Sequence, residues 1–128
     1  MKTSQPFIIF SAFENGIEGK HNLERDSRVR ELLSRHSIQF ESVVGSYNGE
    51  KELSLLVADT TEIRAIVDLV CILYNQESIL ACDANKRCRL EFTDPDRSPV
   101  ELGLWREITE NSTGNSWSRI NGRYFTTT

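Results

Sequence analysis

Glu50, Glu52 and Ser54 alternate with Leu53, Leu55 and Val57 in the segment Glu50-Lys51-Glu52-Leu53-Ser54-Leu55-Leu56-Val57. In a strand, side chains two positions apart share a face, so the two carboxylates stand together opposite the leucines. Spacing alone leaves two readings: a solvated acidic face, or a carboxylate site that receives a cation. Just upstream, Gly45-Ser46-Tyr47-Asn48-Gly49 supplies the glycines and asparagine that a tight reversal needs. Tyr47 in that turn is either a rim aromatic with its hydroxyl in water or an aromatic wall for a ligand. Gln76 lies in the polar break Asn75-Gln76-Glu77, where it could simply cap a helix end; position does not choose between that and a role in a site.

Other chemistries find less support. His21 and His36 have no cysteine or histidine at ligand spacing, and no metal site is expected. Cys71, Cys82 and Cys88 are odd in number and lack a CxxC pair, which marks them as reduced, buried, small apolar residues. Nucleophile elbow, P-loop and dinucleotide fingerprint are absent. A formal charge of −4 with both signs interspersed gives no basic face for a phosphate backbone, so nucleic acid is not expected as a partner. The opening Met1-Lys2-Thr3-Ser4-Gln5-Pro6 leads into an apolar run far short of the roughly 20 residues of a membrane span. The expected location is the cytoplasm, with no membrane partner.

The elements that must position these residues follow from periodicity. A length of 128 residues fits one domain. Phe7-Ile8-Ile9-Phe10 reads as a short strand covered on both faces. Asn22 reads as the N-cap of a helix running to about His36 that buries Val29, Leu32 and Leu33. Strands over 39–44 and 53–57 flank the turn, and Asp59 reads as the N-cap of a second helix with Ile63, Ile66, Val67, Val70, Cys71 and Tyr74 on its apolar face. Strands at 78–81 and 87–92 follow. From Thr93 the periodicity fades around Pro95 and Pro99, which predicts a packed but irregular extension over residues 94–128. The order β-α-β-β-α-β over a core of residues 6–93 is that of the ferredoxin-like α+β fold: an antiparallel sheet with two helices on one face and the other face open.

Taken together, Phe10-Ser11-Ala12-Phe13, Asn22, Gly45-Ser46-Tyr47, the acidic lead into the following strand and Tyr74-Asn75-Gln76 resemble the bacteriophage S-adenosylmethionine (SAM) lyases, formerly called SAM hydrolases. The likeness is dense from Phe7 to Leu80, with a weaker echo through 102–107 and 119–125. It implies a ferredoxin-like subunit in a homotrimer whose SAM pocket is shared between neighbouring chains. It also implies a pocket lined by Tyr47, Glu52 and Gln76, with Ser11 joining the substrate-binding set. Counting back from the second helix without gaps selects Glu50 in place of Glu52, so both carboxylates are candidates. The implied reaction converts SAM to 5'-methylthioadenosine and L-homoserine lactone with no cofactor, and in a phage setting depletes host SAM against methylation and restriction. A non-catalytic phage inhibitor or a SAM-binding protein of the same fold is the competing expectation.

Overall fold

The structure is a computed structural model that describes residues 5–47, 50–109, 114 and 116–128. Its first six elements are β1 (Phe7–Phe10), α1 (Gly19–Arg35), β2 (Glu41–Tyr47), β3 (Glu50–Ala58), α2 (Thr61–Leu73) and β4 (Ser78–Cys82). Four further strands follow: β5 (Arg87–Phe92), β6 (Val100–Ile108), β7 (Ser116–Ile120) and β8 (Arg123–Thr127). The eight strands close on themselves in the order β1-β3-β2-β7-β8-β6-β5-β4, every pair antiparallel.

The ferredoxin-like expectation is therefore wrong, and so is the irregular extension. The sheet has no open face, because the last four strands complete a barrel. Residues 94–128 conceal their strands for a physical reason: the inward positions of β7 and β8 near one end are Ser116, Ser118 and Thr127, which gives no apolar alternation to read. Gly103 hides β6 further. Its φ of +97° breaks the strand's regularity, and a Cβ there would come within 2.5 Å of the Thr128 main chain. Leu104 and Thr128 exchange two main-chain hydrogen bonds at 3.0 Å beside it, so the close approach seals the barrel edge.

The apolar run of β1 is explained by burial on both faces. Ile8 and Phe10 pack with Leu55, Val57, Val29, Leu33, Val67 and Val70 in a layer between the sheet and the two helices. Phe7 and Ile9 point into the barrel, where they join Val43, Leu56, Leu80, Trp105, Ile120 and Phe125. Trp105 stacks on Phe125 at 5.2 Å between ring centres, and Phe7 meets Trp105 edge-on at 5.3 Å. These aromatics fill one half of the interior. Cys82 and Cys88 face each other across β4 and β5 in the same core; all three cysteines are free and buried.

Both helix caps differ from expectation. Asn22 lies within α1, which starts at Gly19, and its side chain instead accepts from Glu14 N at 3.0 Å and donates to Glu14 O at 3.1 Å. Thr60 caps α2 by accepting from Ile63 N at 3.2 Å, while Asp59 forms a two-point ion pair with Arg64 at 2.8 and 3.0 Å. Among the described residues, no helix is long and apolar enough to cross a membrane, and no group of three or more His, Cys, Asp or Glu side chains is placed to hold a metal ion.

Candidate active site

Strand alternation decides which side chains enter the barrel. Leu56 belongs to the interior core while Leu55 and Val57 face the helices, so Glu52 and Ser54 follow Leu56 inward. The carboxylate face read from the sequence is thus the lumen of a barrel. An eight-stranded barrel has an interior just wide enough to be filled by side chains or to hold one small ligand. Phe7, Trp105 and Phe125 fill one half. Toward the other end the inward residues shrink to Ser54, Gly45 and Ser118, and a cavity of about 600 Å³ remains.

Glu52 stands in the wall of that cavity. Gly45 pairs with Glu52 on one side and Ser118 on the other, so the row across β3, β2 and β7 carries one carboxylate, one hydrogen and one hydroxyl. Gly45 places no side chain beside the carboxylate. Burial pushes the Glu52 pKa above the ordinary glutamate range, and the hydroxyls of Ser11 and Ser54 partly oppose the shift. The Ser11 proton is already donated to Leu53 O at 2.8 Å, which leaves Ser54 as the freer donor to the carboxylate.

Ser11 has a second task. Its Oγ accepts from Phe13 N at 2.9 Å, which fixes the turn the chain makes on leaving β1. Gln76 grips the same segment from across the mouth: its Nε2 donates to Phe13 O at 2.7 Å and to Tyr74 O at 3.2 Å. With both amide protons committed, the Gln76 side-chain carbonyl is the polar atom left to a ligand. Helix capping is a main-chain matter here, with Gln76 N bonding to Cys71 O at 2.8 Å.

Of the five residues singled out from the sequence, Ser11, Glu52 and Gln76 line one cavity. Glu50 does not; it is exposed at the start of β3, opposite Tyr47 in the register. Tyr47 ends β2, and its main chain pairs with Ser116, itself a lining residue, at the cavity end of the barrel. The Tyr47 side chain and the Asn48-Gly49 turn lie outside the described part of the structure.

Sequence reasoning missed the brace around the mouth. Arg25 reaches Glu14 Oε2 at 2.9 Å and also the Tyr74 carbonyl, while Asn75 Nδ2 reaches Glu14 Oε1 at 3.0 Å. Hydrogen bonds from Arg25 and then Asn75 hold the Glu14 carboxyl below the usual carboxylate range. The Arg25 guanidinium also lies over the Tyr74 ring at 4.9 Å. No local signal marks this brace, since its members come from a loop, the first helix and the turn after the second. Asn75 alone carries a hint, being of the residue type that tolerates its positive φ of 58°.

A half-buried carboxylate beside a roomy, partly apolar lumen is suited to a small cationic ligand with an apolar part. No curated protein matches the chain. The family model described as the S-Adenosylmethionine lyase family matches residues 8–128, nearly the full length. The chain belongs to the S-adenosylmethionine lyase family, and is an enzyme whose substrate is S-adenosylmethionine.

Proposed function

We propose that the barrel lumen cleaves SAM to 5'-methylthioadenosine and L-homoserine lactone by attack of the substrate's own carboxylate. A carboxylate oxygen forms a bond to the γ-carbon, the bond from that carbon to sulfur breaks, and its electron pair neutralises the sulfonium as a thioether. No proton moves. The protein's task is to fold the methionyl chain into a reactive conformer and to strip water from the attacking carboxylate; orientation of this kind contributes roughly 7 kcal/mol or more. In this reading Glu52 holds the substrate α-amino cation, Gln76 and Ser11 fix its polar edge, and Tyr47 packs on or hydrogen-bonds to the ligand.

The observation that carries the proposal is the convergence of Ser11, Glu52 and Gln76 on one cavity that is also lined by apolar side chains. Glu50, outside that lining, drops to the weaker candidate. The implied homotrimer also needs revision in form. With the far face of the sheet closed into a barrel, a neighbouring chain would reach the site through the lumen mouth. Leu69, Ile72 and Leu73, exposed on the outer side of α2, supply apolar surface for such an assembly. The setting we infer is a phage gene product that depletes SAM in the bacterial cytoplasm and so counters methylation and restriction, which rests on the resemblance of the sequence motifs.

The test is incubation of purified protein with SAM, following both products by chromatography, with the SAM pool of expressing bacteria measured in parallel. Methylthioadenosine with homoserine lactone is expected, together with a depleted pool. Methylthioadenosine accompanied by homoserine instead would make water the nucleophile, and no product above background would end the catalytic reading.

A further inference from the structure

The charge of the cavity is one-sided. Its described lining includes Glu14, Glu52 and Glu77 and contains no lysine, arginine or histidine. Glu14 and Glu77 are matched from behind by Arg25 and Arg97, neither of which lines the cavity. Among the described residues, Glu52 has only the hydroxyls of Ser11 and Ser54. Lys51 and Arg119, next in sequence to Glu52 and Ser118, point to the opposite side of their strands by the same alternation that turns their neighbours inward. Residues 110–115, which join β6 to β7, add no basic residue in sequence.

SAM carries two cations, the sulfonium and the α-amino group, and one carboxylate. The described lining of a single chain attracts both cations and offers the carboxylate no counter-charge, and what it holds near Glu52 interacts in a medium where charges are poorly screened. Resting on the reading that this lumen holds SAM, we infer that it recognises the sulfonium and the amine but not the carboxylate, so that the decarboxylated form of SAM binds as a dead-end inhibitor. That compound keeps the sulfonium and a primary amine and lacks the nucleophile. It can therefore occupy the site but cannot close a lactone, and it relieves the repulsion between the substrate carboxylate and Glu52.

Calorimetry with decarboxylated SAM and with S-adenosylhomocysteine tests the inference, the second compound having a neutral sulfur with the carboxylate retained. The decarboxylated sulfonium is expected to bind at least tenfold more tightly, to remain intact, and to compete with SAM in the methylthioadenosine assay with an inhibition constant at or below the KM of SAM. Glu52→Gln should erase most of the tenfold preference, while Glu24→Gln on the exposed face of α1 should leave it unchanged. Equal or tighter binding of S-adenosylhomocysteine overturns the inference, as does cleavage of SAM that decarboxylated SAM fails to inhibit; in the latter case the lyase reading itself stands. If SAM is not cleaved but the tenfold preference is found, the lyase reading falls while the assignment of ligand class stands.

Discussion

Glu52 and Glu50 are two residues apart on one face of one strand, and their fates differ through depth. The separation is about 7 Å along the strand. It moves one carboxylate from the exposed start of β3 to the wall of the lumen. The alternation that set both opposite the leucines was legible in the sequence; the depth was not, because the row beside Glu52 runs on through Gly45 to β7, whose inward serines carry no apolar signal. A hydrogen bond to a charged group contributes about 1.5–3 kcal/mol, so Glu52→Gln should lower kcat/KM by roughly 10- to 100-fold while Glu50→Gln changes it little, as measured by steady-state methylthioadenosine release. The pKa of Glu52 is raised, so its protonated form persists above the ordinary glutamate range and cannot attract a cation. In the wild type kcat/KM should therefore fall as pH drops through this raised value, and Glu52→Gln should flatten that limb. Stability runs in the opposite sense. The folded chain holds the Glu52 proton more tightly than the unfolded chain, so the ionised carboxylate disfavours folding above its folded pKa, and the glutamine variant should melt at a higher temperature near neutral pH.

At the scale of elements, the two helices and the first five strands were legible because each has a face of uniform polarity or a run buried on both sides. Caps were less so. Asn22 and Asp59 have the right chemistry for N-caps, yet other partners claim both: the main chain of Glu14 takes Asn22, and Arg64 takes Asp59. The cap of α2 falls to Thr60. Thr60→Ala should accordingly destabilise the fold by about 1 kcal/mol in denaturant titrations, with KM for SAM unchanged, since α2 begins at the end of β3 remote from Glu52. An equal loss from Asp59→Ala with none from Thr60→Ala would reverse the cap assignment. The brace of Glu14, Arg25 and Asn75 was invisible for a related reason: it ties three elements together at single residues, which leaves no period for any window of sequence to reveal.

The whole molecule differs from the sequence expectation in one respect, closure, and closure changes what an assembly can contribute. An open sheet would need a second chain to cover its carboxylates, whereas here β5 to β8 cover them from within the chain. A trimer, if formed, should appear in light scattering as three times the chain mass of 14.6 kDa; a single-chain mass with full turnover would show that the lumen suffices alone. Closure also has a consequence in time. The seam between β2 and β7 joins Gly45 to Ser118, so the row beside Glu52 is completed by a strand far downstream of β3 in the chain. Pairings between segments so distant in sequence are slow to form compared with local hairpins. Until β7 docks, the row beside Glu52 is incomplete and the barrel is open. On the reading that the lumen is the active site, lyase activity should begin only when the barrel shuts.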